Sequence, residues 1–208
     1  MALTAQVAVD SLRILLGETV AAESRWTDAQ LLFYWLEGRR EFCKDSLAVR
    51  NLYTKTATVG TYRYALEPAT IHVHGVTFNG LPLDDMSSNW YEALGGQLPG
   101  VSGIPYIYRI IGNALDLFYN PNEAKTIEID SAIIAGSVTL TGIDAQLTED
   151  QSYAAVDYGA AKALIDDGRA DEAELHLGSY RRKVGQWKNI VKPKGPRYTH
   201  VTRTSEYL

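Results

Sequence analysis

The sequence predicts an α+β fold: a helical bundle formed by N- and C-terminal helix pairs, with an inserted antiparallel β subdomain and an extended C-terminal arm. Three observations carry that expectation. Apolar residues recur at helical spacing near both ends, they alternate with a period of two through the middle, and Pro and Gly interrupt every pattern after Val191. The boundaries that follow are residues 1–50 and 148–191 for the bundle, 51–147 for the β subdomain and 192–208 for the arm. A chain of 208 residues that is 46% apolar hides roughly 70% of its unfolded surface on folding, enough for one body with a protruding subdomain.

Ala5, Val9, Leu12 and Leu16 recur at spacings of four, three and four, a stripe on one helical face that Gly17 stops. The second helix starts at Thr27, which forms a capping box with Gln30, while Trp26 just outside packs on Leu31 just inside as a hydrophobic staple. Beyond that start, Leu32, Trp35, Leu36, Phe42 and Cys43 share one broad face, and Arg39, Arg40, Glu41 and Lys44 lie mostly elsewhere. From Leu52 the period is two. Tyr62, Tyr64 and Leu66 share one face of a strand that Pro68 ends, with Thr61, Arg63 and Ala65 on the other.

In the next strand the apolar set moves from odd positions (Ile71, Val73) to even ones (Val76, Phe78), and a bulge at Gly75 reconciles the two halves. Asn79-Gly80 reads as a type I′ hairpin turn into Leu81 and Leu83. Ser88 caps a short helix that Gly95-Gly96 ends, and residues 97–105 are irregular and long enough for a contact element. Residues 106–111 and 114–119 form a hairpin about Gly112-Asn113, and residues 125–134 continue the meander with Ile127 and Ile129 on one face, so the middle is a small antiparallel sheet or sandwich. Thr148 and Gln151 repeat the capping box ahead of Tyr153, Val156, Ala160, Ala161 and Leu164, in a helix that Asp167-Gly168 closes. In the last helix Ala173, Leu177, Tyr180, Val184, Trp187 and Val191 form the seam of a helix laid along another helix, within the bundle or in a coiled coil between copies. The arm spans roughly 55 Å if extended.

The net charge of −5 is unevenly distributed. Residues 181–208 hold eight Lys or Arg against Glu206 alone, a net +7, which leaves −12 on residues 1–180. An acidic body repels nucleic acid at long range, and a short cationic arm seeks an acidic groove on another protein or stays solvated. The longest apolar run, Leu31 to Leu36, is far short of the ~18 residues that cross a bilayer, and the start of the chain lacks the basic, apolar and small-residue succession of a signal peptide. Neither secretion nor a membrane anchor is expected. The lone Cys43 is expected as a small apolar filler, which fits a reducing compartment.

Candidate chemistry is sparse. His72 and His74 point to the same side of a strand, yet no Cys, His or carboxylate run completes a metal site, so they read as a wet or interface face. His176 follows Glu172 by four, which matches neither a zincin motif nor the Glu-x-x-His of diiron bundles, and reads as a helix-surface residue. Gly95, Gly96, Gly100 and Gly103 lack the Lys-Ser/Thr pair of a phosphate loop, and Gly100-Val101-Ser102-Gly103 misses the nucleophile-elbow spacing by one. The pairs Asp84-Asp85 and Asp166-Asp167 fall at element ends, where carboxylates cap or face water. No catalytic, cofactor or metal residue is expected.

The succession of segments resembles the head-to-tail adaptor (connector, neck) proteins of tailed bacteriophages, the short-tailed ones especially. Carrying it are Trp26-Thr27-Asp28-Ala29-Gln30-Leu31-Leu32 with Trp35-Leu36-Glu37-Gly38, then Tyr62-Arg63-Tyr64-Ala65-Leu66-Glu67-Pro68, Val73 and Val76-Thr77-Phe78-Asn79-Gly80-Leu81-Pro82-Leu83. Leu115-Asp116-Leu117-Phe118-Tyr119-Asn120-Pro121 and the helix opened by Tyr153 complete it. The resemblance implies a virion protein that assembles in the host cytoplasm into a ring, often of twelve copies, beneath the portal. Its other face meets the tail or nozzle, and DNA passes through the centre without specific binding. No cofactor or catalytic residue comes with it. Expected contacts to the portal or a neighbouring subunit are Lys192, Lys194, Arg197, Tyr198 and Arg203 of the arm. Compared with shorter adaptors, this sequence has a larger β region and a long arm. The rival readings are a phage-associated cell-wall hydrolase, which needs a carboxylate pair in a cleft, and a carbohydrate-binding β module, for which the Tyr and Trp of the middle region speak.

Overall fold

The computed structural model describes residues 3–18, 25–86 and 101–191, and within them it is a mixed α+β structure with four helices and several sheets. The short helix expected after Ser88, with its Gly95-Gly96 stop, lies outside the described residues.

Helix α1 (Ala5–Leu15) buries Ala5, Ala8, Val9 and Leu12, the expected stripe, and Gly17 at φ 78° ends it. Its N-cap is Thr4, whose hydroxyl accepts from the Val7 N–H at 3.3 Å. Helix α2 (Asp28–Ser46) starts with both halves of the capping box: the Gln30 N–H donates to Thr27 Oγ1 at 3.3 Å, and the Thr27 N–H donates to Gln30 Oε1 at 2.9 Å. Trp26 and Leu31 are both buried in the core that α1 and α2 share. Helix α3 (Glu149–Asp166) opens with the second capping box, closes at Asp167-Gly168, and leads to α4 (Ala170–Val191). On α4 Ala173, Tyr180 and Val184 are buried, and Leu177 and Trp187 pack half-buried beside them.

Backbone approaches backbone where α2 meets α3. A Cβ on Gly38 would collide with the Ala155 carbonyl oxygen and sit 3.0 Å from its carbonyl carbon, and a Cβ on Gly159 would meet the Tyr34 carbonyl at 3.1 Å. Glycine at those two positions, with buried Ala154, Ala155, Ala160, Ala161 and Ala163, lets α3 lie deep among its neighbours. Cys43 is buried beneath this layer, accepts from the Ala135 N–H at 3.4 Å and has its thiol pKa pushed up by burial, as an apolar filler should.

The strands are β1 (Arg50–Thr56), β2 (Arg63–Ala65), β3 (Thr70–Phe78), β4 (Leu81–Pro82), β5 (Asp84–Asp85), β6 (Ser102–Gly103), β7 (Ile107–Ile111), β8 (Ala114–Phe118), β9 (Asn120–Pro121) and β10 (Thr126–Ile133). One sheet has the order β1-β10-β3-β4 and a second β2-β8-β7-β5, while β6 and β9 form a small pair. Val76, Phe78, Ile127 and Ile129 of the first sheet and Tyr64, Tyr108, Leu115 and Leu117 of the second share one core, so the middle is a sandwich. The register of β3 on β10 shifts between Asp130 and Ser131, opposite Gly75 and Val73, which is the bulge that the change of phase demanded. Asn79 and Gly80 both have positive φ, 52° and 77°, as a type I′ turn needs.

Two expectations are corrected. The β region is not antiparallel throughout, because β5 pairs with β7, and β6 with β9, in parallel. β5 and β7 are separated in sequence by residues 86–106, a spacing long enough for the crossover that a parallel pair requires and far too long for a tight hairpin turn. Arg39, expected away from the packed face of α2, is 1% exposed.

Candidate functional site

Arg39 lies in register with Trp35 and Phe42 on the packed face of α2, and its guanidinium stacks over the Trp35 ring at 5.1 Å. Its Nε and Nη2 donate to the two carboxylate oxygens of Asp144 at 2.7 Å each, and Nη1 donates to the Gly136 carbonyl at 2.6 Å. Asp144, 0% exposed, also accepts from the backbone N–H groups of Gln146 and Leu147 at 3.1 and 3.2 Å and from the Ser152 hydroxyl at 3.4 Å. A buried charge pair is tolerable only when its lone pairs and protons are matched in this way. One salt bridge therefore joins α2, the 136–147 connection and the first turn of α3. Leu3 and Ala5 pair with residues 142–144 through backbone hydrogen bonds, tying the start of α1 to the same connection. The sequence held a signal for this site, since Trp35, Arg39 and Phe42 follow the four-three spacing of an apolar stripe.

Where α3 begins and α4 ends, Asp150, Tyr153, Lys183, Gln186 and Trp187 line a groove of about 440 Å³. Tyr153 and Trp187 are its half-buried aromatic walls. The Lys183 ammonium is held by Asp157 at 2.7 Å and also donates to the Tyr153 carbonyl at 3.4 Å, which neutralises its charge. Asp150 is exposed and forms no ion pair among the described residues. Nearby, the Tyr180 hydroxyl donates to Asp45 at 2.7 Å, and burial together with that carboxylate pushes its pKa up, so the phenol stays neutral. The expected contact residues Lys192, Lys194, Arg197, Tyr198 and Arg203 follow directly after α4 and lie outside the described residues.

A second exposed surface lies on the β region, where Leu81 and Ile104, 62% and 64% exposed, flank a cleft of about 170 Å³ beside Phe78 and Lys125. Tyr106 packs against Phe118 and Tyr119 with ring centroids 6.2 and 5.4 Å away, and Tyr119 holds φ at 72°, a strained value for an aromatic residue. The sequence places Tyr106 and Tyr119 at strand ends and Ile104 within the irregular stretch 97–105, a candidate contact element; which of their faces is exposed depends on how the two sheets stack.

The remaining candidates are dispersed. His72 and His74 meet edge to face with centroids 5.0 Å apart, and burial, followed by the Arg50 charge, lowers the His74 pKa. Among the described residues no group of three His, Cys, Asp or Glu is placed to hold a metal ion. Asp166 accepts from the Tyr34 hydroxyl at 3.0 Å, Asp167 pairs with Arg25, and Asp84-Asp85 form the edge strand β5. His176 is half-exposed on α4, and of the four glycines only Gly103 is described, in β6 against the Tyr119 ring. Among the described residues no helix is long and apolar enough to cross a membrane.

A family model described as SU10 adaptor protein matches residues 3–201, nearly the whole chain. The chain belongs to the SU10 adaptor family. No curated protein matches it. As an SU10-family adaptor it is a bacteriophage structural protein and a component of the virion, and the family is a structural class rather than an enzyme class. Its partners are accordingly other virion proteins.

Proposed function

We propose that this SU10-family adaptor assembles as a ring, of twelve copies, between the portal and the tail or nozzle, with DNA passing through its centre. The terminal helix pairs act as one bundle, residues 51–147 form the insert that it carries, and Lys192, Lys194, Arg197, Tyr198 and Arg203 contact the portal or the neighbouring subunit. The match of the family model across residues 3–201 carries this reading. Two physical features support it. A net −12 on residues 1–180 disfavours a grip on passing DNA, and a net +7 on residues 181–208 favours a protein surface. Repetition around a ring turns individually weak contacts into strong ones once all can engage together.

Electron microscopy of the purified chain mixed with portal protein tests the proposal. Rings should form on the portal, and truncation after Val191 should weaken them. An absence of rings under every mixing condition refutes the ring, and normal assembly of the truncated chain refutes the role of the arm.

A further inference from the structure

We propose that the groove between α3 and α4 receives the segment Pro193-Lys194-Gly195-Pro196-Arg197 of a second copy of this chain. The inference rests on the reading that residues 192–208 contact a neighbouring subunit, and it names the surface that receives them.

The groove and the segment match in chemistry. Pro193 and Pro196 are three residues apart, the repeat of a polyproline II helix, so both rings fall on one face of such a helix. Aromatic-lined grooves recognise that face, and Tyr153 and Trp187 supply two aromatic walls in a groove of about 440 Å³. Lys194 and Arg197 are also three apart and share a neighbouring edge of the same helix. Asp150 is the carboxylate on the groove that they would meet, exposed and without an ion pair among the described residues, while Asp157 already holds Lys183. Proline-rich segments also lose little entropy on ordering, so a short contact suffices.

The chain's own segment is a poor occupant of its own groove. Helix α4 continues through Val191, which carries the backbone about 6 Å beyond Trp187. Lys192, preceding Pro193, is biased to extended backbone and away from a helical reversal. A return that turns at Gly195, between the two prolines, breaks their three-residue register. A second copy meets no such constraint.

The test uses the full-length chain and a synthetic peptide of residues 191–200 that carries a benzophenone side chain in place of Tyr198. After irradiation, mass spectrometry should map the cross-link to fragments containing Tyr153 or Trp187. Pro193→Ala/Pro196→Ala in the peptide should lower labelling about tenfold, and Asp150→Lys in the full-length chain about fivefold. Asp150 is exposed but lies in the first turn of α3, where a lysine opposes the helix dipole, so Asp150→Asn is run beside it and should lower labelling in the same direction, with circular dichroism checking both folds. Labelling elsewhere, labelling indifferent to these substitutions, or none at about 1 mM peptide overturns the inference. Rings on portal without groove labelling would sink this contact and spare the adaptor ring. Groove labelling without rings would do the reverse.

Discussion

Removing Asp144 isolates the largest single electrostatic element of the helical layer. In Asp144→Ala the Arg39 guanidinium, 1% exposed, loses two hydrogen bonds of 2.7 Å and keeps only the one to Gly136 at 2.6 Å. An uncompensated buried charge of this kind costs about 3–5 kcal/mol, a large share of the ~5–15 kcal/mol that holds a domain together. With a urea slope near ~3 kcal/mol/M, the unfolding midpoint should fall by about 1–1.7 M. The apolar pair Arg39→Met/Asp144→Leu removes both charges and should recover most of the loss, because neither desolvation cost remains. Urea melts followed by circular dichroism supply the numbers, and hydrogen exchange of residues 136–147 reports on the connection itself. If Asp144→Ala lies within about 1 kcal/mol of the wild type, or if the double variant equals the sum of Arg39→Met and Asp144→Leu, the two residues do not act as one buried unit.

Three further outcomes are open to measurement. Gly38→Ala should destabilise by about 1–3 kcal/mol through the collision with Ala155, whereas Gly178→Ala on α4, with open space at its Cβ, should stabilise by roughly 0.5–1 kcal/mol; thermal melts of the two should shift in opposite directions. Thr27→Ala and Thr148→Ala each remove one capping box and should cost about 1 kcal/mol, seen as parallel drops in urea midpoint. His74 has a lowered pKa and faces Arg50, His72 and Asp130, so the folded state resists its protonation; stability should be full above the ordinary histidine pKa of about 6.5 and fall as pH drops through the folded value. Against this baseline, His74→Gln should flatten the profile between about pH 7.5 and 5, and an identical pH dependence in both proteins would remove His74 as its source.

Local chemistry was legible wherever it is written in a few adjacent residues. Thr27 with Gln30 and Thr148 with Gln151 announced two helix starts, Asn79-Gly80 announced a turn, and the phase change across Gly75 announced a bulge, because capping, positive φ and side-chain alternation all act within one or two turns of chain. Arg39 defied its own polarity. Its place in the four-three spacing of Trp35 and Phe42 hinted at burial, but its partner stands 105 positions away and nothing local in the sequence names that carboxylate. The parallel pairing of β5 with β7 escaped for a related reason, since strand direction depends on the path of a long connection.

Composition and pattern alone thus set the helices, the longer strands and the charge asymmetry between residues 1–180 and 181–208, but not the two-residue strands β5 and β6. Tertiary structure decided which polar groups could be buried, how closely α2 and α3 approach, and where Tyr153, Trp187 and Asp150 gather into a groove. Propensity and capping are short-range energies that each segment carries with it, whereas desolvation, close packing and the shape of a cleft exist only once distant segments exclude water from one another.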